Sequence, residues 1–263
     1  MAYDGFMAAA VLSEIKGSLE GAKIEKITQP EADQIVMQLR TEKGRKKLLL
    51  DVSPQGARVQ LTELDFENPQ SAPNFCMLVR KHIQGGRIRR AGQHGRERIT
   101  ELDIDTINEM GYSAEKRLIV ETMGKHSNIV LLDAQTGKVI DSIKRISIDI
   151  NRVRQILPGI IYEYPPVSNL SNDKGYGPTT TAAIESGAVV PEIPEDPVDG
   201  IKTYVYISED KGPKDFHIFR MPQYEGSYKE LEFGSACSAM DFFYSHRQTK
   251  KADIIRFKFH IYE

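Results

Sequence analysis

The spacing of hydrophobic residues changes several times along the chain, and each change predicts a different element. The stretch Gly5 to Leu19 repeats its apolar residues at helical spacing, and Asp4 precedes it as a candidate cap. Shorter stretches in which apolar and polar residues alternate follow, of which Gln34 to Thr41 is the clearest. The chain is therefore expected to open with a helix followed by strands.

A second helix and further strands are predicted next. Asn74 to Gln84 has apolar residues on one side and ends at Gly85-Gly86, as helices commonly do. The other predicted strands, which short turns connect, are Ala22 to Thr28, Lys46 to Val52, Ala57 to Leu61, Arg87 to Gln93, Arg98 to Ile107, Lys116 to Met123, Asn128 to Asp133 and Lys138 to Ile143. This order predicts an α+β fold, an antiparallel β-sandwich with two flanking helices.

The pattern changes near residue 165, and we expect two domains there, 1–165 and 166–263. In the second, Gly175 to Ser186 predicts one short helix, while Lys202 to Ile207 and Asp215 to Arg220 predict a strand pair. Ser235 to His246 predicts a further helix. The last residues, Ile254 to Glu263, have a pattern more typical of a strand.

Composition narrows the class of protein. Of 263 residues, 40% are hydrophobic and 27% charged, which is typical of a soluble globular protein. No apolar run approaches the roughly 20 residues of a membrane span, and no secretory signal pattern opens the chain, so a cytoplasmic protein without membrane contact is expected. Cys76 and Cys237 lie in predicted helices, which favours buried reduced thiols.

Charge is unevenly distributed, although the net charge is only -2. The segment from Arg80 to Arg98 contains a single acid, Glu97, and seven cations: Arg80, Lys81, Arg87, Arg89, Arg90, Arg96 and Arg98. Such a segment favours binding to the phosphates of a nucleic acid. The alternative is a solvated face and a strand edge protected from aggregation by charge. Neighbouring strand residues point to opposite faces, so the seven cations cannot all share one surface.

The turn around Gly95 could present side chains to a large partner. Within it, the Glu97 carboxylate could hydrogen-bond a base edge, a ribose or a guanidinium. The alternative, which the sequence alone favours, is an ordinary surface ion pair worth at most about 1 kcal/mol.

The segment Gly124-Lys125-His126-Ser127-Asn128 interrupts an apolar alternation, and a glycine there is typical of a bulge or a close backbone approach. His126 and Ser127 are neighbours that should point to opposite faces, which argues against a catalytic pair. No phosphate-binding glycine-rich loop and no metal-ligand spacing of histidines occurs in the sequence. We therefore expect neither enzymatic activity, nor a cofactor, nor a metal.

Five ordered motifs resemble the NFACT family: Met1-Ala2-Tyr3-Asp4-Gly5, Asn74 through His82, Met123 through Asn128, Asp141 through Lys144, and Leu157-Pro158-Gly159. The resemblance covers about residues 1–166. Later, Gly177 through Ile184 resembles the leading helix of the family's helix-two-turn-helix region, and Phe233 through Tyr244 resembles the segment before its coiled coil.

The resemblance implies a fold similar to the amino-terminal domain of formamidopyrimidine-DNA glycosylases, followed by a reduced helix-two-turn-helix region and a small α/β segment that leads toward a coiled coil. It does not imply glycosylase activity. Those enzymes use an amino-terminal proline and a zinc finger, whereas this chain begins Met1-Ala2-Tyr3 and has two cysteines.

The resemblance also implies a function. RqcH-like members bind obstructed large ribosomal subunits and recruit alanyl-tRNA for carboxy-terminal alanine tailing of stalled peptides. Their tRNA-recruiting Asp-Arg pair corresponds here to Glu97-Arg98, where glutamate keeps the charge and adds one methylene. The expected partners are tRNA and the large subunit with its rRNA. A surface-exposed, fibronectin-binding adhesin is the alternative, because the family was also named for that property.

These inferences predict three groups of site residues. The expected tRNA-binding residues are His94, Arg96, Glu97 and Arg98. The expected contacts to RNA phosphates are Arg80, Lys81, Arg87, Arg89, Arg90 and Lys125. The expected motif residues are Gly124, His126, Ser127 and Asn128.

Overall fold

A computed structural model describes residues 3–166, 174–208 and 211–259, with side chains described as far as residue 247. Its helices are α1 (Gly5–Leu19), α2 (Asn74–Ile83), α3 (Pro178–Glu185) and α4 (Ala236–Phe259). Its strands are β1 (Lys23–Thr28), β2 (Gln34–Thr41), β3 (Gly44–Asp51), β4 (Arg58–Thr62), β5 (Arg87–Gln93), β6 (Ile99–Ile107), β7 (Ser113–Glu121), β8 (Asn128–Asp133), β9 (Val139–Ser142), β10 (Thr203–Ser208), β11 (Gly212–His217) and β12 (Lys229–Phe233). The predicted α+β class is confirmed.

The first nine strands form one antiparallel sheet in the order β4-β3-β2-β1-β5-β6-β7-β8-β9. The expected sandwich of separate sheets is therefore replaced by a continuous sheet. The join between its halves is narrow: β1 and β5 pair at Lys23 and Arg87, extended by a hydrogen bond from the Ile88 N–H to the Ala22 carbonyl at 3.0 Å. Helix α1 packs on β2, β4 and β5, so the sheet curves around it and both halves share one core.

In the half of the sheet formed by β5 to β9, buried apolar side chains alternate between the two faces, so both faces are covered. Leu102 and Ile104 of β6 point into the main core, whereas Ile99 and Ile119 belong to a second cluster on the other face. That second cluster is completed by Ile156 from the segment after β9. Each such fully buried side chain contributes about 1.5–3 kcal/mol to folding.

The carboxy-terminal region adds a small sheet of order β11-β10-β12 and helix α4. The sequence pattern predicted β10 and β11 but missed β12. A strand was predicted for Ile254 to Glu263, but α4 continues to Phe259, so this prediction is wrong for residues 254–259. Residues 260–263 lie outside the described residues. Extending an existing helix is easier than starting a new element, since each added residue gains a backbone hydrogen bond without a new nucleation step.

Residues on both sides of position 165 contribute to the same core. Ala183, Val205 and Phe216 are buried in the cluster that also contains Phe6 and Val11 of α1. Glu14 of α1 accepts hydrogen bonds from the backbone N–H groups of α4 at its start. The boundary near residue 165 stays a prediction. Within the described residues, helices long and apolar enough for a bilayer crossing are absent.

Candidate nucleic-acid interface

Two of the predicted site segments lie next to each other at one end of the nine-stranded sheet. The β5–β6 turn holds His94 to Arg98, and the β7–β8 connection holds Gly124 to Ser127. They meet where the backbone N–H and the hydroxyl of Thr122 both donate to the Arg98 carbonyl oxygen, at 2.8 and 3.0 Å. We call the surface formed by residues 94–98 and 124–128 the motif surface.

The β5–β6 turn is held against the start of α1. The Gln93 side-chain amide donates to the carbonyl oxygens of Gly5 at 2.8 Å and Glu97 at 2.7 Å. Gly5 approaches so closely that an added Cβ would lie 2.0 Å from the Arg96 carbonyl oxygen, and at Gly175 the distance would be 2.5 Å. The backbone of the turn therefore packs directly against both glycines, which restricts its movement.

Arg98 is half-buried in this turn. Burial lowers the pKa of its guanidinium, and the nearby negative charges of Asp4 and Glu97 act in the opposite direction. The guanidinium remains charged, because its ordinary pKa lies far above neutral pH. Arg98 is therefore a cation that is held close to Asp4, the cap residue of α1.

Asp4 links α1 to the carboxy-terminal region. Its Oδ1 caps the helix by accepting the Met7 N–H at 2.8 Å, as predicted, while Oδ2 accepts the Thr180 hydroxyl at 2.5 Å. Thr180 in turn lies 2.9 Å from Nε2 of His217. The Ile218 N–H donates to His217 Nδ1, so Nε2 carries the proton and donates to Thr180. No sequence spacing pointed to Thr180 or His217, which lie in distant elements.

The His94 ring is supported by an aromatic ring, Tyr164, that no sequence pattern indicated. Its ring stacks on Tyr164 with 3.7 Å between the centroids and 11° between the planes. Its Nδ1 lies 3.6 Å from Oε1 of Glu101, which also accepts a short hydrogen bond from the Tyr164 hydroxyl. Burial raises the pKa of Tyr164 to about 12, so this hydroxyl keeps its proton and donates.

Arg89 and Arg90 both approach the Asp103 carboxylate and so lie on one face of the sheet, contrary to the expected alternation, because the strand register shifts between Ile88 and Arg90. Arg90 Nε lies 2.7 Å from Asp103, and Arg89 Nε lies 3.2 Å from Asp105. Burial would raise the pKa of Asp103, but hydrogen bonds from Arg117 and Arg90 keep it below its ordinary value. Carboxylates on β6 and β7 thus already neutralise these two cations, and their contact with RNA phosphates stays a prediction.

Arg80, Lys81 and Arg87 lie away from the motif surface. Arg80 Nε donates to the Ile27 carbonyl at 2.7 Å, and an Arg87 guanidinium nitrogen donates to the Gly21 carbonyl at 2.9 Å. Lys81 pairs with Glu109 at 2.7 Å. Arg87 is the first residue of β5, and the β5–β6 turn begins after its last residue, Gln93. At the rise of a β-strand, Arg87 and the turn are therefore roughly 20 Å apart.

The second segment of the motif surface is a short 3-10 helix, Gly124–His126. Gly124 has φ +63°, a conformation that favours glycine, and its position faces the Pro54 carbonyl. His126 is exposed whereas Ser127 is buried, so the two side chains point apart. Within the described part of the chain, the Ser127 hydroxyl has no hydrogen-bond partner.

Asn128 fixes this segment to the strand that follows. Its side-chain amide donates to the Lys144 carbonyl at 2.8 Å, and its Oδ1 accepts the Lys144 N–H at 3.1 Å. The Lys144 ammonium reaches the Val52 carbonyl at 2.7 Å. The loop after β3 therefore borders the motif surface as well.

The family model for the NFACT N-terminal and middle domains matches residues 4–185. The chain belongs to the NFACT family. It is 40% identical over 172 residues to the Rqc2 homolog RqcH of Streptococcus suis and 39% identical over 169 residues to that of Bacillus subtilis. These matches cover 65% and 64% of this chain but only 31% and 30% of the relatives. The ribosome quality control complex subunit NEMF of Homo sapiens is 29% identical over 124 residues, 47% of this chain and 11% of NEMF.

Solved structures agree with this NFACT assignment. The amino-terminal part of the fibronectin/fibrinogen-binding protein of Streptococcus suis superposes with a TM-score of 0.78 at 29% identity, covering 93% of this chain and 99% of that one. The fibrinogen binding protein of Staphylococcus aureus gives a TM-score of 0.74 at 26% identity, with the same coverage. The fold is thus shared with these proteins over nearly the whole chain.

In this NFACT chain, two exposed cations of the motif surface have no ion pair with any described residue. They are Arg96, in the turn, and Lys125, in the 3-10 helix. Together with half-buried Arg98 they form a smaller positive surface than the sequence predicted, and they are held by a rigid backbone.

Proposed function

We propose that this chain is part of a ribosome-associated quality control factor that acts in the cytoplasm. Its motif surface binds tRNA and the rRNA of obstructed large ribosomal subunits, and in this way it recruits alanyl-tRNA for alanine tailing of stalled peptides. The proposal is supported by the names of its relatives, RqcH and the ribosome quality control subunit NEMF. The matched region spans about a third of the length of the RqcH relatives.

One structural observation supports the RNA-binding part most directly. Arg96 and Arg98 lie in a single turn whose backbone is fixed by Gln93, Gly5 and Thr122, with Lys125 in the neighbouring segment. Cations on a fixed backbone bind phosphates with less loss of conformational freedom than cations on a mobile loop. We propose that Glu97, between the two arginines in the sequence, accepts a hydrogen bond from a base or ribose.

Arg96→Ala tests this surface without disturbing the fold, since Arg96 is exposed. We expect weaker tRNA binding and a slope of log affinity against log salt that is smaller by about 0.7–0.9, the value for one lost phosphate contact. Filter binding of tRNA across a salt series measures both quantities.

Arg45→Ala is the matched control. Arg45 is 79% exposed and lies at the start of β3, at the end of the sheet opposite the motif surface. Equal effects of the two substitutions would mean that the turn has no special role. Co-sedimentation of the wild-type chain with large ribosomal subunits tests the wider assignment, and absence of the protein from the subunit fraction would refute it.

Fibronectin binding is the second candidate function, favoured by the names of the structural neighbours. It requires exposure on the cell surface. Labelled antibody against the protein should therefore bind intact cells if this alternative holds, and should bind only permeabilised cells under the ribosomal assignment.

A further inference from the structure

A large cavity lies beside the motif surface, on the far side of the loop that follows β3. Its volume is about 1010 Å³, the upper end of the range for small-molecule sites. Tyr228 and four parts of the fold line it: the connection before β2, the connection after β3, the end of β10 with the start of β11, and the face of α4 around Arg247. None of the residues predicted as a site from the sequence lines this cavity.

The floor of the cavity is a buried cation on an aromatic ring. Arg58 and Asp51 form an ion pair of 2.9 Å in which both side chains are 3% exposed. The Arg58 guanidinium also lies 3.7 Å from the centroid of the Tyr244 ring. Each of these groups has its partner, so the floor is rigid and contributes little net charge.

Among the described residues, the cavity walls carry more unpaired positive charge than unpaired negative charge. Lys211, Lys214 and Arg247 line the cavity and are exposed, and none of them pairs with a carboxylate among the described residues. Of the acidic lining residues, Asp33 lies 3.3 Å from the Lys144 ammonium, and Asp51 is neutralised by Arg58. Only Glu31 remains without a described ion pair among the acidic lining residues.

An aromatic ring lies among these cations. Tyr228 lines the cavity and is only partly buried, with Tyr224 against it edge-on at 5.0 Å between the centroids. The ring is held by this contact while part of its surface stays accessible. Cations beside an accessible aromatic ring are the combination with which proteins bind nucleotides, since phosphates meet the charges and the base stacks on the ring.

We propose that this cavity binds a nucleoside phosphate, with the phosphate between Lys211, Lys214 and Arg247. The base stacks on Tyr228. The ligand is either a free nucleotide or one nucleotide of a single-stranded RNA. This site is separate from the motif surface, and it does not depend on the assignment of tRNA binding to that surface.

Equilibrium binding of two fluorescent probes to the full 263-residue chain tests the proposal. The probes are labelled ADP and a labelled single-stranded oligouridylate of about six nucleotides. At low salt at least one probe should bind with a Kd below about 1 mM. Binding of ADP identifies a free nucleotide as the ligand, and binding of the oligonucleotide alone identifies an RNA strand. No binding of either probe overturns the proposal.

Substitutions locate the bound probe. Lys214→Ala and Arg247→Ala should each weaken binding about tenfold, the effect of losing one charge-assisted hydrogen bond. Tyr228→Leu should weaken it, while Tyr228→Phe should not, because phenylalanine retains the ring. Lys138→Ala removes an exposed cation at the far end of β8 and serves as the control. Equal loss with Lys138→Ala means binding by general charge and overturns the site.

Two further measurements distinguish this cavity from the motif surface and from a site for acidic peptides. Arg96→Ala should leave ADP binding unchanged, so a failure of the tRNA assignment and a failure of this site give different results. The second measurement uses a labelled oligoglutamate. If it binds as well as ADP, and if Tyr228→Leu weakens the binding of neither probe, the cavity is a site for acidic peptides and the nucleoside phosphate proposal is refuted.

Discussion

At the scale of single residues, the segment after β9 is attached to the sheet by a buried ion pair. The Arg154 guanidinium binds both oxygens of Glu121, at 3.0 and 2.5 Å, and the Tyr162 hydroxyl donates to the same carboxylate at 2.7 Å. The side chains of Arg154 and Glu121 are 9% and 1% exposed. Since β7 ends at Glu121, this pair also anchors the strand that leads into the motif surface.

Arg154→Ala should lower the free energy of unfolding by about 3–5 kcal/mol, because it leaves the Glu121 carboxylate charged, buried and unpaired. Arg45→Ala, which breaks a pair with Glu25 at the surface, should cost less than about 1 kcal/mol. Urea denaturation of both variants gives the comparison. Similar losses would contradict the buried character of the Glu121 pair.

His217 predicts a dependence of stability on pH. Burial lowers its pKa from 6.5 to about 4, with the Asp4 carboxylate acting in the opposite direction. The folded protein therefore keeps the ring neutral, while the unfolded chain takes up a proton below about pH 6.5. This stabilising contribution is complete above that pH and is lost as the pH falls towards 4.

His217→Gln removes this titration and retains a hydrogen-bonding group. Unfolding by urea at several pH values between about 7 and 4 should show a smaller loss of stability for the variant than for the wild type. Parallel curves for the two proteins would show that His217 is not protonated more readily in the unfolded chain.

At the scale of elements, the β5–β6 turn depends on helix α1. Gly5 is the first residue of that helix, and its lack of a Cβ admits the Arg96 carbonyl. Gly5→Ala should therefore displace the turn, destabilise the fold by about 1–3 kcal/mol and weaken tRNA binding. Denaturation and filter binding measure the two effects.

Gly17→Ala, in the same helix, is the control. An added Cβ there would meet the Pro197 side chain at 3.1 Å, and alanine is favoured over glycine in a helix. The variant should stay within about 1 kcal/mol of the wild type and bind tRNA normally. Normal binding by Gly5→Ala as well would show that the turn tolerates movement.

At the scale of the whole molecule, the shared core predicts cooperative unfolding. Buried residues from α1, both halves of the large sheet, β10, β11 and α4 belong to one cluster. Far-ultraviolet circular dichroism and tyrosine fluorescence should therefore give coincident denaturation curves. Two separate transitions would instead support independent domains divided near residue 165.

Local patterns predicted most elements because their causes are local. The alternation of Gln34 to Thr41 and the cap residue Asp4 before α1 both express rules that act within a few residues. The pairing of Arg89 and Arg90 with β6 and β7 was not predictable in this way. It depends on strand register, which aligns Arg90 with Asp103 across the sheet.

The sequence by itself determined the class of fold, the starts of the helices, most strands and the family, since these follow from periodicity and from motifs read in order. The tertiary structure alone decided which cations remain unpaired, what supports His94 and Asp4, and where a cavity forms. Those properties depend on contacts between residues such as Asp4 and Thr180, which are far apart along the chain and meet only after folding.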